Sequence, residues 1–398
     1  MSPQFRAVLS TLLACGCTNA ASATSDDAQT SDSTSEVAPT SDAATSSDDR
    51  SESESGESST EGQGESDTSS DGQASDTDTS TQTGDESETT DSGGDPGWQV
   101  VQQLDERGGA MMSVWGSSPD QVHAVGGQIQ PNTGTALRFD GIDWIPESLP
   151  PGTPMLDWVY GVDGRVWAVG RAGAILVRDG EGWSSEVSPT DTILWGLWGA
   201  SEDELWAVGG DGTSDVPVLL RRDGASESWS LVELPELGVV SHGLFKIWGT
   251  SASDVWAVGD RGATLHWDGA SWTAHPSAAA VDLISLWGTP SEGIVAAGGR
   301  ANGHIARLES ETETWIGQTL TTPGLNGMWV DPAGPITAVG IAGTILSVMP
   351  GGYEVIEEDS PTPMVLHAVF GFSGGPRFAV GGSLLAPPPY IGVIVADF

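Results

Sequence analysis

Two short polar segments hold the densest mix of side chains that could do chemistry. Asp211-Gly212-Thr213-Ser214-Asp215 brings two carboxylates, and Arg300-Ala301-Asn302-Gly303-His304 brings a guanidinium, an amide and an imidazole. Segment 211–215 could turn oxygens toward calcium, but it lacks the spaced ligand set and the closing bidentate Glu of a calcium loop. The six histidines (His123, His242, His266, His275, His304 and His367) show no i, i+4 pairing that would set two imidazoles on one metal. No Gly-x-Ser-x-Gly elbow, phosphate-binding loop or dinucleotide glycine pattern occurs. The sequence thus names no catalytic residue, no metal site and no cofactor. It points to recognition more than to reaction, with Asp211, Asp215, Arg300, Asn302 and His304 as candidate contacts.

Both segments fall at the same phase of a repeated unit, whose cleanest copy is 247–272, IWGTSASDVWAVGDRGATLHWDGASW. Short apolar runs stop at glycine or Asp-Gly, with Ser, Thr and Asp clusters between them. Such runs read as strands joined by tight turns, and Asp-Gly favours a hairpin because glycine accepts positive φ. The unit predicts a four-stranded antiparallel meander, strands a to d. Strand b carries Ala-Val-Gly or Ala-Ala-Gly, with glycines at 126, 170, 209, 259, 298, 340 and 381, in steps of 44, 39, 50, 39, 42 and 41 residues. That is the period of a propeller blade. The d-strand aromatics are Trp144, Trp183, Trp229, Trp272, Trp315 and Tyr353, one fewer than the b strands. The seventh, Trp98, precedes the first unit, and 391–398 resembles a c strand. The expected fold is all-β: a seven-bladed propeller closed by its N-terminal strand, which supplies the missing outer strand of the last blade.

In such a meander the a–b and c–d turns share one face, and the b–c and d–a connections share the other. The first set is nearly constant here, as in 251–254 and 268–271. The b–c turns are compact in blades 2, 4 and 6 and read as expanded in blades 1, 3, 5 and 7, at 128–133, 210–216, 300–304 and 383–390. Repeat proteins place insertions on the binding face, so this face is the expected contact surface. The plain alternative is that surface loops vary freely.

Composition divides the chain into three. Residues 1–17 hold one basic residue, Arg6, and an apolar run too short to span a bilayer, as in a secretory signal. Residues 18–97 are Ser, Thr, Asp, Glu and Gly with Arg50 as the one basic residue, a composition that cannot offset chain entropy and predicts a disordered linker. Residues 98–398 hold all 17 tryptophans. The whole chain carries 56 acids against 14 bases, and Lys246 is its only lysine, so nucleic acid is excluded as a partner. Cys15 and Cys17 are the only cysteines, so the repeats have neither a disulfide nor a thiolate metal site.

Two readings of the tryptophans compete. Indole faces stack on sugars, which in an exported repeat protein suggests a glycan ligand. Most of them, however, recur at fixed phases: an a column of Trp115, Tyr160, Trp198, Trp248, Trp287, Trp329 and Phe370, and a b column including Trp167, Trp206, Trp256 and Phe378. A residue needed once per blade packs between sheets. Trp158, Trp195 and Trp267 stand outside these columns and are the better candidates for exposed aromatics.

Two resemblances follow from these residues. Leu12-Leu13-Ala14-Cys15 resembles a bacterial lipobox, which implies cleavage before Cys15, lipidation of its thiol and, with Gly16 next, an outer-membrane lipoprotein; cleavage near 21–23 would instead release a soluble secreted protein. The unit WG…S-x-x-D-V-W-A-V-G…W-D-G-x-x-W resembles the bacterial propeller repeats related to BNR/Asp-box and photosystem-assembly-factor-type propellers. Asp268-Gly269-Ala270-Ser271-Trp272 lacks the Asp-box residue between Asp and Gly, and the arginine cluster and Tyr/Glu pair of sialidases cannot be placed. The expectation is a lipid-anchored monomer in the cell envelope. It would bind a protein or glycan through its loop-rich face, and membrane only through the lipid. A glycan hydrolase or lyase with its site at the central mouth is the alternative.

Overall fold

The structure, a computed structural model, describes residues 97–213, 216–384 and 388–398. The signal, the lipobox with Cys15, and the linker up to residue 96 lie outside the described residues, as does Asp215. The Ala-Val-Gly segments form the second strand of each of seven four-stranded antiparallel sheets. In Arg165–Gly170, Glu204–Gly209, Asp254–Gly259 and Gly293–Gly298 every residue after the first is buried. Strand b is covered on both faces by the neighbouring sheets, so both of its alternating sets of side chains must be apolar. The blades run 110–147, 156–186, 194–231, 244–274, 283–323 and 325–357, with the seventh at 366–397.

The seventh blade has three strands of its own. Its fourth is Gln99–Leu104, which pairs antiparallel with Gly392–Asp397, Gln99 opposite Ala396 and Leu104 opposite Gly392. The ring closes as the position of Trp98 predicts, and one pair of strand edges that would template association is removed. The Asp-Gly turns form as expected. Asp140 Oδ1 accepts from the backbone N–H of Ile142 and Asp143, and Asp268 Oδ1 from Ala270 and Ser271. These backbone donors hold both carboxyls below the usual aspartate range.

The Trp-Gly pair of strand a has a packing cause. A Cβ on Gly161 would lie 2.3 Å from the Trp115 ring of the preceding blade, and Gly249, Gly288 and Gly371 receive Trp198, Trp248 and Trp329 in the same way. Each glycine is thus a seat for the indole one blade back. The d-column tryptophans are all buried. The column positions are therefore packing positions between blades, as their periodicity suggests.

Among the described residues, three of the seven seams carry an additional clamp at the outer strands. Glu147 of blade 1 accepts from Trp183 Nε1 and Arg178 Nε of blade 2, both at 2.8 Å. Glu186 of blade 2 accepts from Trp229 Nε1 at 2.6 Å and Arg222 of blade 3 at 3.2 Å. Glu358 of blade 6 accepts from Trp98 Nε1 at 2.7 Å and takes two bonds from Arg377 of blade 7, at 3.0 and 3.1 Å. Burial alone would raise Glu147, but His123, Trp183 and Arg178 together bring it down to about 2.

Candidate functional site

At the entry of every a strand the ladder with strand b slips by one residue. The residues passed over are Met112, Asp157, Trp195, Phe245, Ile284, Asn326 and His367, one from each blade. A β-bulge frees a side chain from the alternation of its strand and re-aims it. Here seven bulges aim seven side chains into a single axial cavity of about 60 Å³, which Lys246 also lines. That volume suits a few water molecules; it is well below the ~300 Å³ at which sites for drug-sized ligands begin.

The cavity wall is mostly apolar, and Asp157, Lys246, Asn326 and His367 are the polar residues among those that line it. Asp157 is buried, and neither carboxylate oxygen has a protein hydrogen-bond partner. Burial pushes its pKa up to about 6, while the nearby Arg171 and Lys246 charges pull the other way. Lys246 Nζ donates to the Trp195 carbonyl at 3.2 Å and lies 3.3 Å from the centre of the Trp158 ring. His367 is buried with Nε2 unpartnered, and burial lowers its pKa to about 4, which keeps the imidazole neutral at neutral pH. Asn326 Nδ2 donates to the Leu366 carbonyl at 3.2 Å. Among the described residues that line the cavity, Asp157 is the one carboxylate. The paired carboxylates of glycoside hydrolysis are therefore not assembled there.

The b–c and d–a connections surround the mouth of this cavity. The blade 1 and blade 7 connections are pinned together: Gln128 Nε2 donates to the Tyr390 carbonyl at 2.7 Å, and Tyr390 N–H returns to Gln128 Oε1 at 2.8 Å. Tyr390 packs with Met112, Ile129 and Met155. The turns of blades 2, 4 and 6 are the compact ones expected, each a single 3-10 turn: Arg171–Gly173, Asp260–Gly262 and Ile341–Gly343.

The candidate contacts do not share one setting. Asp211 is half-buried on the blade 3 connection, where its Oδ1 accepts from Thr213 N–H at 2.8 Å. Arg300 bonds Asp282 through Nε, and its guanidinium lies 5.6 Å from the ring of Phe245, beside the axial mouth. Asn302 is exposed at the start of the c strand Asn302–Glu309. His304 requires a correction. It lies inside that strand, 2% exposed, with Nδ1 3.1 Å from Thr319 Oγ1. The blade 5 connection is longer than the compact ones, since Ala297 pairs with Ile305, eight residues on, where the equivalent partners in blades 2, 4 and 6 are six apart; the added residues extend strand c back to Asn302, with Gly299 at φ +84° making the corner. His304 is thereby drawn into the sheet and away from the loop face. Trp158, Trp195 and Trp267 are likewise engaged: Trp158 under Lys246, Trp195 buried in the cavity wall, Trp267 against Trp206 and Trp272.

A larger feature flanks blade 3. A groove of about 740 Å³ runs between its b–c connection and the 232–243 segment leading to blade 4. Its walls include Val216, Leu231, Leu234, Leu237, Val239 and Val240, of which Val216, Leu231 and Val240 are more than half exposed. The far end of the 232–243 segment is anchored on Asp260, which accepts from Ser241 Oγ at 2.5 Å and His242 N–H at 3.0 Å. The sequence signal for this groove is the 50-residue step between the third and fourth glycines, the longest of the six.

A closed seven-bladed propeller with a narrow axial cavity and an apolar groove beside blade 3 is the class that fold and site define. Solved structures with the same fold include YCF48 from Cyanidioschyzon merolae, 15% identical over 76% of this chain and 98% of that one, with a TM-score of 0.56. YCF48 bound to D1 peptide is 17% identical over 74% and 96%, with a TM-score of 0.54. The extracellular domain of the putative one component system BT4673 from B. thetaiotaomicron is 11% identical over 76% of this chain and 40% of that one, with a TM-score of 0.55. No family model and no curated protein matches the chain.

Proposed function

We propose that this chain is an exported, lipid-anchored propeller of the cell envelope that acts as a binding or scaffold module for a partner protein. The blade 3 groove takes an extended apolar segment of that partner. The groove carries the reading: it is the large apolar concavity beside the loop face, and exposed valine and leucine walls suit aliphatic peptide side chains. The edge strand Ser228–Leu231 ends in its wall at Leu231, so the open backbone edge of blade 3 leads into the groove, as recognition by strand addition needs. The tryptophans favour protein over glycan, because the d column is buried and Trp158 and Trp267 are occupied by Lys246, Arg221 and other indoles. That YCF48 has been seen bound to a peptide supports a peptide ligand on this fold.

Anchoring through Cys15 and an acidic linker fits this role. An 80-residue coil reaches roughly 50 Å, which would hold the propeller clear of the lipid. The test is co-purification from intact cells with the anchor retained, comparing wild type with a Val216→Asp/Leu231→Asp/Val240→Asp variant. The partner recovered with wild type should fall at least tenfold with the variant and persist with Asp157→Asn. Equal recovery with the groove variant would refute the groove. Loss with Asp157→Asn but not with the groove variant would move the contact to the central mouth and refute the groove.

A further inference from the structure

The seam between blades 4 and 5 departs from the clamp in a way that assembles a metal-ligand set. In blades 1, 2 and 6 the clamping acid sits at one d-strand position: Glu147 pairs with Ala136, Glu186 with Ile175, and Glu358 N–H bonds the Ile345 carbonyl. In blade 4 the same position is His275, whose N–H bonds the Thr264 carbonyl. His266 on the adjacent c strand pairs with Thr273, so His275 is its diagonal neighbour two residues on, and both imidazoles project from the same face. Across the seam, Glu313 of blade 5 is held in a left-handed turn, φ +50°, and faces both. Its Oε1 lies 3.7 Å from His266 Nδ1, and its Oε2 lies 3.3 Å from His275 Nε2. The three ligand atoms all fall within 4.8 Å of one another.

The nitrogen chemistry also fits. Asp254 Oδ1 lies 2.9 Å from His266 Nε2, and an ionised carboxylate can only accept; Nε2 therefore carries a proton, and the neutral ring keeps its lone pair on Nδ1, the nitrogen on the Glu313 side, for a metal. A carboxylate on the far nitrogen is the usual orienting partner of a metal-bound histidine. Trp256 fixes the ring further by stacking on it at 4.2 Å and 10°. In a tetrahedral zinc site with bonds of about 2.0–2.1 Å, ligand atoms are roughly 3.3–3.5 Å apart, so side chains now within 4.8 Å of one another must close by up to about 1.5 Å around the ion.

We propose that His266, His275 and Glu313 bind one zinc ion, or a divalent late transition metal of like preference, with water at the fourth position. The ion ties blade 4 to blade 5 where no acid–indole clamp is made. Two imidazoles select against calcium and magnesium. Sequence spacing alone gives no hint of the site, because the two histidines are nine residues apart on neighbouring strands and not four apart on a helix.

The test uses the full-length protein and Co²⁺ as a spectroscopic probe. Wild type should take up one equivalent with intense visible bands of a four- or five-coordinate nitrogen-ligated site. His275→Ala and Glu313→Gln should each lose the bands while keeping native tryptophan fluorescence. Carboxylates elsewhere in this acidic chain would give only the weak spectrum of oxygen-ligated Co²⁺, unchanged by either variant. Zn²⁺ should displace the bands and raise Tm of wild type by several degrees, and of neither variant. Bands absent in wild type, or surviving in both variants, would overturn the site. So would a Tm that depends on these residues but is indifferent to Zn²⁺, which would leave the cluster an ion pair.

Discussion

The seam between blades 2 and 3 and the seam between blades 4 and 5 start from the same repeat and end in different chemistry. At the first, Glu186 receives the Trp229 indole and the Arg222 guanidinium. At the second, the acid is His275, the indole of Trp315 has no acceptor, and Leu308 stands opposite Trp315 where Arg222 stands opposite Trp229. The difference separates two jobs that the periodicity merges. Burying the d-column tryptophan requires only the packing of the sheets, and Trp229 and Trp315 are both buried. Holding its N–H requires an acid one blade back, and that acid is tolerated in a half-buried seam only with a guanidinium beside it.

The largest effect should come from breaking a clamp where it also closes the ring. Glu358→Ala removes the acceptor for Trp98, Ser347 and Arg377 together, and leaves Arg377 half-buried with only Asp397 as an ionic partner. The expected loss is about 3–5 kcal/mol by chemical denaturation. A loss under 1 kcal/mol would mean that strand pairing alone carries closure.

Acid should dissolve the clamps before it touches the rest of the seams. Burial opposes ionisation of Glu147, but its partners win and hold it at about 2, against an ordinary 4.5. A depressed folded-state value stabilises fully above the unfolded value of 4.5 and is lost as pH falls through 2. The stake is roughly 3 kcal/mol at about 1.36 kcal/mol per unit. Glu147→Gln should therefore flatten the stability–pH curve between pH 5 and 2 while lowering stability at pH 7. An unchanged acid limb would show that Glu147 is not held as described.

Much of this was legible in the sequence, and for a physical reason. Strand number, closure and the packing columns follow from side chains that repeat every 39–50 residues, because each blade buries the same faces. The candidate site was less legible. His304 reads as a loop residue until Gly299 makes a sharp corner and the strand begins early at Asn302. The axial ring of Asp157, Asn326 and His367 stays hidden because a bulge changes which way a residue points without changing its place in an apolar pattern. The blade 4 histidines meet only through strand register, which periodicity leaves open.

The indole bond can be weighed directly by comparing the same substitution at the two seams. Trp183→Phe removes a donor to the Glu147 carboxylate and should cost about 1.5–3 kcal/mol beyond its change in volume. Trp315→Phe removes an N–H that has no acceptor, so its cost should be smaller by about that amount and reflect volume alone. Equal losses in urea titrations would refute the idea that the clamp adds anything to packing.

The finest discrimination comes from trying to rebuild a clamp between blades 4 and 5. His275→Glu by itself, measured with chelator present, places a second carboxylate close to Glu313 with the Trp315 N–H and the His266 imidazole nearby but no guanidinium, and should destabilise by about 1 kcal/mol or more. Leu308→Arg supplies the missing guanidinium opposite Trp315, the place Arg178 and Arg222 hold opposite Trp183 and Trp229. The double variant should then recover most of the loss, with a coupling of about 1 kcal/mol between the two sites. Additive effects would show that acid, arginine and indole act separately. Coupling would show that the three form one unit, which this seam has given up in favour of histidine.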